Sequence, residues 1–126
     1  MSFRKTVWKW SVPPLDYFVL ELPKDAKLLN FSNQHNQGCL WALVDPDKEK
    51  PKEKRAFRLA GTDHDIMESE DRLQYIGTFV AFGAHLVLHL FEILNCTPEE
   101  IERYAKFDRE DIDDSGFNEI DIEGQP

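Results

Sequence analysis

Apolar residues recur at every second position through most of the chain up to residue 93, which is the period of a strand with one buried face. The densest stretch is LQYIGTFVAFGAHLVLHLFEIL, residues 73–94. It predicts two strands, 75–82 and 85–93, meeting in a tight hairpin at Gly83, where glycine supplies a backbone conformation that other residues resist. Leu86, Leu88 and Leu90 then share one face, and His85, Val87, His89 and Phe91 share the other. Leucine-rich runs are ambiguous by periodicity alone, so a helix over 84–94 is the alternative; the strand is the preferred reading.

The same alternation runs through the preceding residues. In 5–12, Trp8, Trp10 and Val12 fall on one face and Lys9 and Ser11 on the other, and Pro13-Pro14 ends the strand. Residues 16–22 place Phe18, Leu20 and Leu22 together, with a turn at 23–25; a weaker strand over 27–32 carries Leu29 and Phe31. NQHNQG, 33–38, is expected to be a polar hairpin loop. Residues 39–44 are apolar on both faces, as in a central strand covered from both sides, until Asp45-Pro46 stops it. DKEKPKEKR then predicts a solvated charged loop. A strand over 55–60 points Phe57 and Leu59 inward and Arg58 the other way. The sum is a mostly β fold: a single antiparallel β-sandwich or small barrel of about seven strands, spacing alone not deciding between them.

The pattern changes after residue 95. Thr97-Pro98-Glu99-Glu100 has a capping residue, a proline suited to the first helical position and a glutamate that can close a capping box. A short helix over 96–107 is predicted, showing Ile101, Tyr104 and Ala105 on one face. Residues 108–126 mix acids with isolated apolar residues; such a tail cannot bury much and is expected to be disordered alone. The domain plan is therefore a β domain over 1–95, the helix, and an acidic tail.

Charge sharpens that plan. The net charge of −9 is concentrated at the C-terminus, where residues 97–126 hold eleven acidic and three basic side chains. Residues 1–96 are nearly neutral, which gives no general basic footprint for nucleic acid. No uninterrupted apolar run reaches membrane-spanning length, and MSFRKTVWKW lacks the apolar core of a secretory signal. Cys39 and Cys96 are too few for a disulfide framework, and Asn95-Cys96-Thr97 reads as an accidental sequon. These features predict a cytoplasmic protein.

Candidate chemistry is sparse. His64 with Asp63 and Asp65, together with His85 and His89, is the best metal-like set; on a strand, however, His85 and His89 stand about 13 Å apart, too far for one ion, so no metal or other cofactor is predicted. Cys39 has no neighbour that would activate it, and no nucleophile elbow, P-loop or dinucleotide fingerprint occurs, so the chain is not expected to be an enzyme. Trp8, Trp10, Trp41 and Tyr75 could stack on a base while Arg58 clamps a phosphate, with His64 nearby; equally, the tryptophans could fill a small core. Asp108, Glu110, Asp111, Asp113 and Asp114 are candidates for a partner-binding arm that mimics nucleic-acid charge, against the plainer reading of a solubilising end.

KTVWKW (5–10), CLWALVDP (39–46), FRLAGTDHDI (57–66), YIGTF (75–79) and HLFE (89–92) together resemble a family of small proteins, mostly encoded by phages and prophages, with no settled biochemical role. The resemblance spans residues 4–92. It implies a compact, mostly β domain of viral or mobile-element origin and carries over no catalytic residue. Where the family's loop reads nearer to GTGHPI, this chain has Asp63 and Asp65. The expectation that follows is a non-enzymatic, phage-type protein in the host cytoplasm that blocks a host defence protein or complex, as an anti-CRISPR does. The alternative is an oligomeric sponge for a nucleotide immune signal, and the third is a small metal protein or enzyme.

Overall fold

A computed structural model describes residues 4–115, with side chains described through Lys106. Seven strands precede one helix: β1 (Thr6–Ser11), β2 (Tyr17–Pro23), β3 (Lys27–Gln34), β4 (Gln37–Val44), β5 (Lys52–Gly61), β6 (Leu73–Ala81), β7 (Leu86–Ile93) and α1 (Pro98–Ser115). They form two antiparallel sheets, ordered β1-β4-β3 and β2-β5-β7-β6. The expected mostly β fold with a C-terminal helix is what the chain adopts, and residues 84–94 hold the strand β7 rather than a helix.

The alternating rows explain the core. Leu40, Ala42 and Val44 of β4 and Phe31 of β3 face Phe18 and Leu22 of β2, Phe57 and Leu59 of β5, Phe79 of β6 and Leu90 of β7, all buried in one cluster. Phe18 stacks on Phe57 and Phe31 on Phe79 across these rows. The leucine row of β7 does face inward, in a gradient: Leu90 is fully buried, Leu88 is partly buried and Leu86 is 37% exposed. β4 has neighbours on both edges. Its second row stays only half-buried at Trp41 and Leu43.

The sheets abut where β3 meets β6. There Gly77 lies so close to β3 that a Cβ would stand 2.6 Å from the Phe31 carbonyl oxygen. Glycine is required by proximity at this position. Both strands are irregular alongside it, β3 between Leu28 and Asn30 and β6 between Tyr75 and Gly77, and such bulges let one strand bend past another. Asn33 Nδ2 adds a hydrogen bond to the Val80 carbonyl, 2.8 Å. Among the described residues, the edges of the two sheets left without a neighbouring strand are accordingly β1 and β2.

Three boundaries differ from the sequence pattern. The 33–38 loop is only a two-residue turn: His35 and Asn36 both have left-handed φ values, 56° and 61°, as a type I′ hairpin demands, so β3 and β4 extend almost to meet. The charged stretch does not remain a loop to residue 55, because β5 begins at Lys52. Its lysines and glutamates pair with β2, Lys54 opposite Glu21. And α1 continues past Phe107 to Ser115. Its start is the expected capping box: the Glu100 amide donates to Thr97 Oγ1 (3.1 Å) and the Thr97 amide to Glu100 Oε1 (3.0 Å).

Candidate functional site

The outward face of the four-stranded sheet gathers most of the polar chemistry. Tyr17 and Val19 of β2, Ala56 and Arg58 of β5, and Phe91 and Ile93 of β7 belong to this face by register. α1 lies across part of it. Tyr104, 8% exposed, packs with Ala56 and Ile93, and Tyr17, Val19 and Ile101 close around them. Tyr104 also stacks on Tyr17 at 5.1 Å between ring centroids.

The loop after β5 crosses the same face and supplies Glu68. Its carboxylate accepts from both phenols, Tyr17 at 3.0 Å and Tyr104 at 2.9 Å, so a single side chain ties loop, sheet and helix together. Beneath the loop lies Arg58, with a side chain only 7% exposed. It donates to the carbonyls of Asp65 (2.7 Å), Asp16 (3.3 Å) and Leu59 (3.4 Å), sits 3.6 Å from the Asp16 carboxylate, and rests 5.0 Å over the Tyr17 ring. Only its Nε is buried without a partner. Arg58 is thus a bracket for the 62–68 loop, with its charge turned toward backbone and ring rather than toward solvent.

Burial pushes the Tyr17 phenol up to about 12, and the Glu68 carboxylate, as acceptor and as neighbouring negative charge, adds to the rise. Tyr104 is raised for the same reasons in the same order. A folded-state pKa above the unfolded value means that the stability carried by the neutral phenols is whole below about pH 10. The Tyr17 share is lost as the pH climbs through about 12, and the Tyr104 share at still higher pH. Melting temperature is expected to fall over that alkaline window, and Tyr17→Phe should flatten the fall. Thermal melts across the window, with phenolate absorbance read in parallel, check it.

The aromatic set proposed for a ligand is not brought together. Trp8 and Trp10 stand 6.2 Å apart on the core-facing row of β1, opposite Ala42 and Leu40, and Trp10 packs against the core. Trp41 is paired with Lys9 and therefore lies on the other face of the same sheet. Tyr75 belongs to the outward face of the other sheet, edge-on to Phe91 at 5.6 Å. Arg58 is beneath the loop. Three surfaces separate side chains that a base-and-phosphate clamp needs on one.

The histidines are likewise dispersed. His64 turns back to accept from the Gly61 amide at 3.3 Å, and His85 lies in the 82–85 turn. His89 is held between two hydroxyls, Thr62 Oγ1 at 2.9 Å and Thr78 Oγ1 at 3.2 Å. Among the described residues no group of three or more His, Cys, Asp or Glu is placed to hold a metal ion. Burial raises the thiols of Cys39 and Cys96, which leaves them protonated and poorly nucleophilic.

Two ion pairs lie outside the sequence expectations. Arg55 points into the core end of the sandwich and meets Glu92 bidentately, Nε to Oε2 at 2.7 Å and Nη2 to Oε1 at 2.9 Å, with its Nη1 on the Ala26 carbonyl at 2.7 Å. Arg72 grips Glu100 at the start of α1 by two bonds of 3.0 and 2.9 Å, which holds that carboxyl below its ordinary value. The candidate arm residues Asp108, Glu110, Asp111, Asp113 and Asp114 lie on the helical backbone of α1, but their side chains are outside the described residues.

The family model for a domain of unknown function, DUF7352, matches residues 3–99. The chain belongs to the DUF7352 family. The match takes in all seven strands and ends as α1 begins, so Ile101, Tyr104 and the acidic arm follow the DUF7352 domain. No curated protein and no solved structure matches. No helix among the described residues is long and apolar enough to cross a membrane.

Proposed function

We propose that this DUF7352 protein is a non-enzymatic binding protein whose acidic C-terminal arm competes for a basic groove on a partner. In this reading the partner is a nucleic-acid-binding component of a host antiviral defence system, and the protein acts in the host cytoplasm as an anti-CRISPR-like inhibitor of phage origin. The phage context rests on the sequence resemblance alone. The observation that carries the binding mode is the separation of charge from core. The β body is nearly neutral, whereas residues 97–126 hold eleven acids against three bases. α1 is fixed to the body at its start by the capping box, Arg72 and Tyr104, and its backbone continues helically to Ser115. A helix anchored at one end presents its later acids with less loss of freedom on binding than a free chain does.

Capture of partners from host cells with the tagged protein, followed by affinity measurement, tests this. Neutralising Asp108, Glu110, Asp111, Asp113 and Asp114 together to Asn or Gln should weaken the partner about tenfold or more, roughly 1.4 kcal/mol, with thermal melting unchanged. The loss should shrink at high salt, because exposed charges are screened beyond about 8–10 Å near physiological ionic strength. Undiminished binding by the neutralised protein removes the arm from the mechanism. The alternative, an oligomeric nucleotide sponge, has less support within one chain, where its aromatic and guanidinium groups lie on three separate surfaces.

A further inference from the structure

β1 ends the three-stranded sheet, with β4 on one edge and, among the described residues, no strand on the other. TVWKWS has no proline and pairs with β4 without a bulge, so two of the devices that commonly close an edge are missing. The third, a charge, is present but turned aside. Lys9 Nζ donates to Gln34 Oε1 of β3, on the far side of β4, so the lysine leans away from the open edge. Trp8 is 40% exposed although the residue opposite it, Ala42, is fully buried, and Val7 is 49% exposed.

The backbone phase of this edge follows from one bond. The Val12 amide donates to the Gly38 carbonyl at 2.9 Å, so Val12 turns its backbone groups toward β4. Along an antiparallel strand that direction alternates from residue to residue. Trp10, Trp8 and Thr6 therefore bond to β4, whereas Ser11, Lys9 and Val7 present N–H and C=O to the open edge. The hairpin agrees, since Gln37 closes against Gln34 and leaves Gly38 to β1.

A strand that pairs with its own copy about a two-fold axis must then join odd-numbered residues to odd-numbered ones, so the axis passes through a residue position. Centred on Val7, the pairing sets Lys5 against Lys9; centred on Lys9, it sets that lysine against itself. Like charges directly opposite one another are destabilising. Centred on Trp8, it sets Lys9 against Val7, Lys5 against Ser11, Thr6 against Trp10 and the two copies of Trp8 against each other. That last pair is of the non-hydrogen-bonded kind, in which side chains approach most closely. We propose that β1 pairs antiparallel with β1 of a second copy of this chain, centred on Trp8, and joins their two three-stranded sheets into one. One strand supplies both halves of the match, as a two-fold interface requires, and the bodies that meet are nearly neutral. None of the arm residues takes part, so the pairing stands apart from the proposed function.

Sedimentation equilibrium of the full-length chain should give the mass of two chains at micromolar concentration. Val7→Glu, which faces the partner's Lys9 twice over, should lower the dimer dissociation constant about threefold or more, and Val7→Lys should raise it by as much. Single cysteines read the register. Under oxidation Trp8→Cys should cross-link fastest, because Cα atoms of such a pair stand about 4.5 Å apart, within disulfide reach. Val7→Cys and Lys9→Cys would meet their own copies only diagonally, at about 7–8 Å. The parent chain, with Cys39 and Cys96, sets the background. Thermal melting confirms that each variant is folded; if a Val7 variant is not, the parent mass and the cysteine series decide. A monomeric parent chain, equal responses to Val7→Glu and Val7→Lys, or fastest cross-linking at Val7 or Lys9 would each overturn the proposal.

Discussion

Arg55→Met is expected to destabilise the protein by about 3–5 kcal/mol, because it leaves the Glu92 carboxylate buried without its partner. The pair is bidentate, with side chains 18% and 11% exposed, so solvent screens it little. Replacing both members, Arg55→Met with Glu92→Leu, should recover most of that loss. A buried ion pair stabilises only modestly over apolar residues of similar volume, whereas a broken one leaves a desolvated charge. Urea unfolding of the two single variants and the double closes the cycle. A single-variant loss near zero would mean that water reaches the pair in solution.

Leu90→Ala should cost about 2–5 kcal/mol, whereas Leu86→Ala, four residues earlier in the same row, should stay within about 0.5 kcal/mol. Leu90 is fully buried between β5 and β6, and Leu86 is 37% exposed beside the 82–85 turn. The contrast isolates depth, since side-chain chemistry and strand face are the same at both positions. Equal losses would show that the hairpin end is as tightly packed as its middle.

The strand content of this chain was readable because one-sided burial writes a period of two into the residues, and β2, β5 and β7 each carry that signal plainly, while β4 shows as an unbroken apolar run. The helix start was readable because a capping box is local. Boundaries were less so. Lys52, Glu53 and Lys54 look like a solvated loop in isolation, and only the facing residues of β2 show why they extend. The Arg55–Glu92 pair did leave a trace that periodicity alone could have found. Arg55 stands in the row of Phe57 and Leu59, and Glu92 in the row of Leu88 and Leu90: opposite charges ending two inward-facing rows. For Arg58, parity showed the face but not its cover. The loop and Glu68 reach it from distant positions, and no short spacing encodes that approach.

The DUF7352 match stops at residue 99, yet Tyr104 and Ile101 shield Tyr17, Val19, Ala56 and Ile93. Domain and helix are therefore bound to change together during divergence. A relative whose chain ended where the domain does would expose that patch unless the positions of Tyr17 and Val19 had turned polar or another segment had come to lie there. Substitution at these sheet positions should track the presence of the helix across the family, more closely than it tracks substitution in the interior between the sheets.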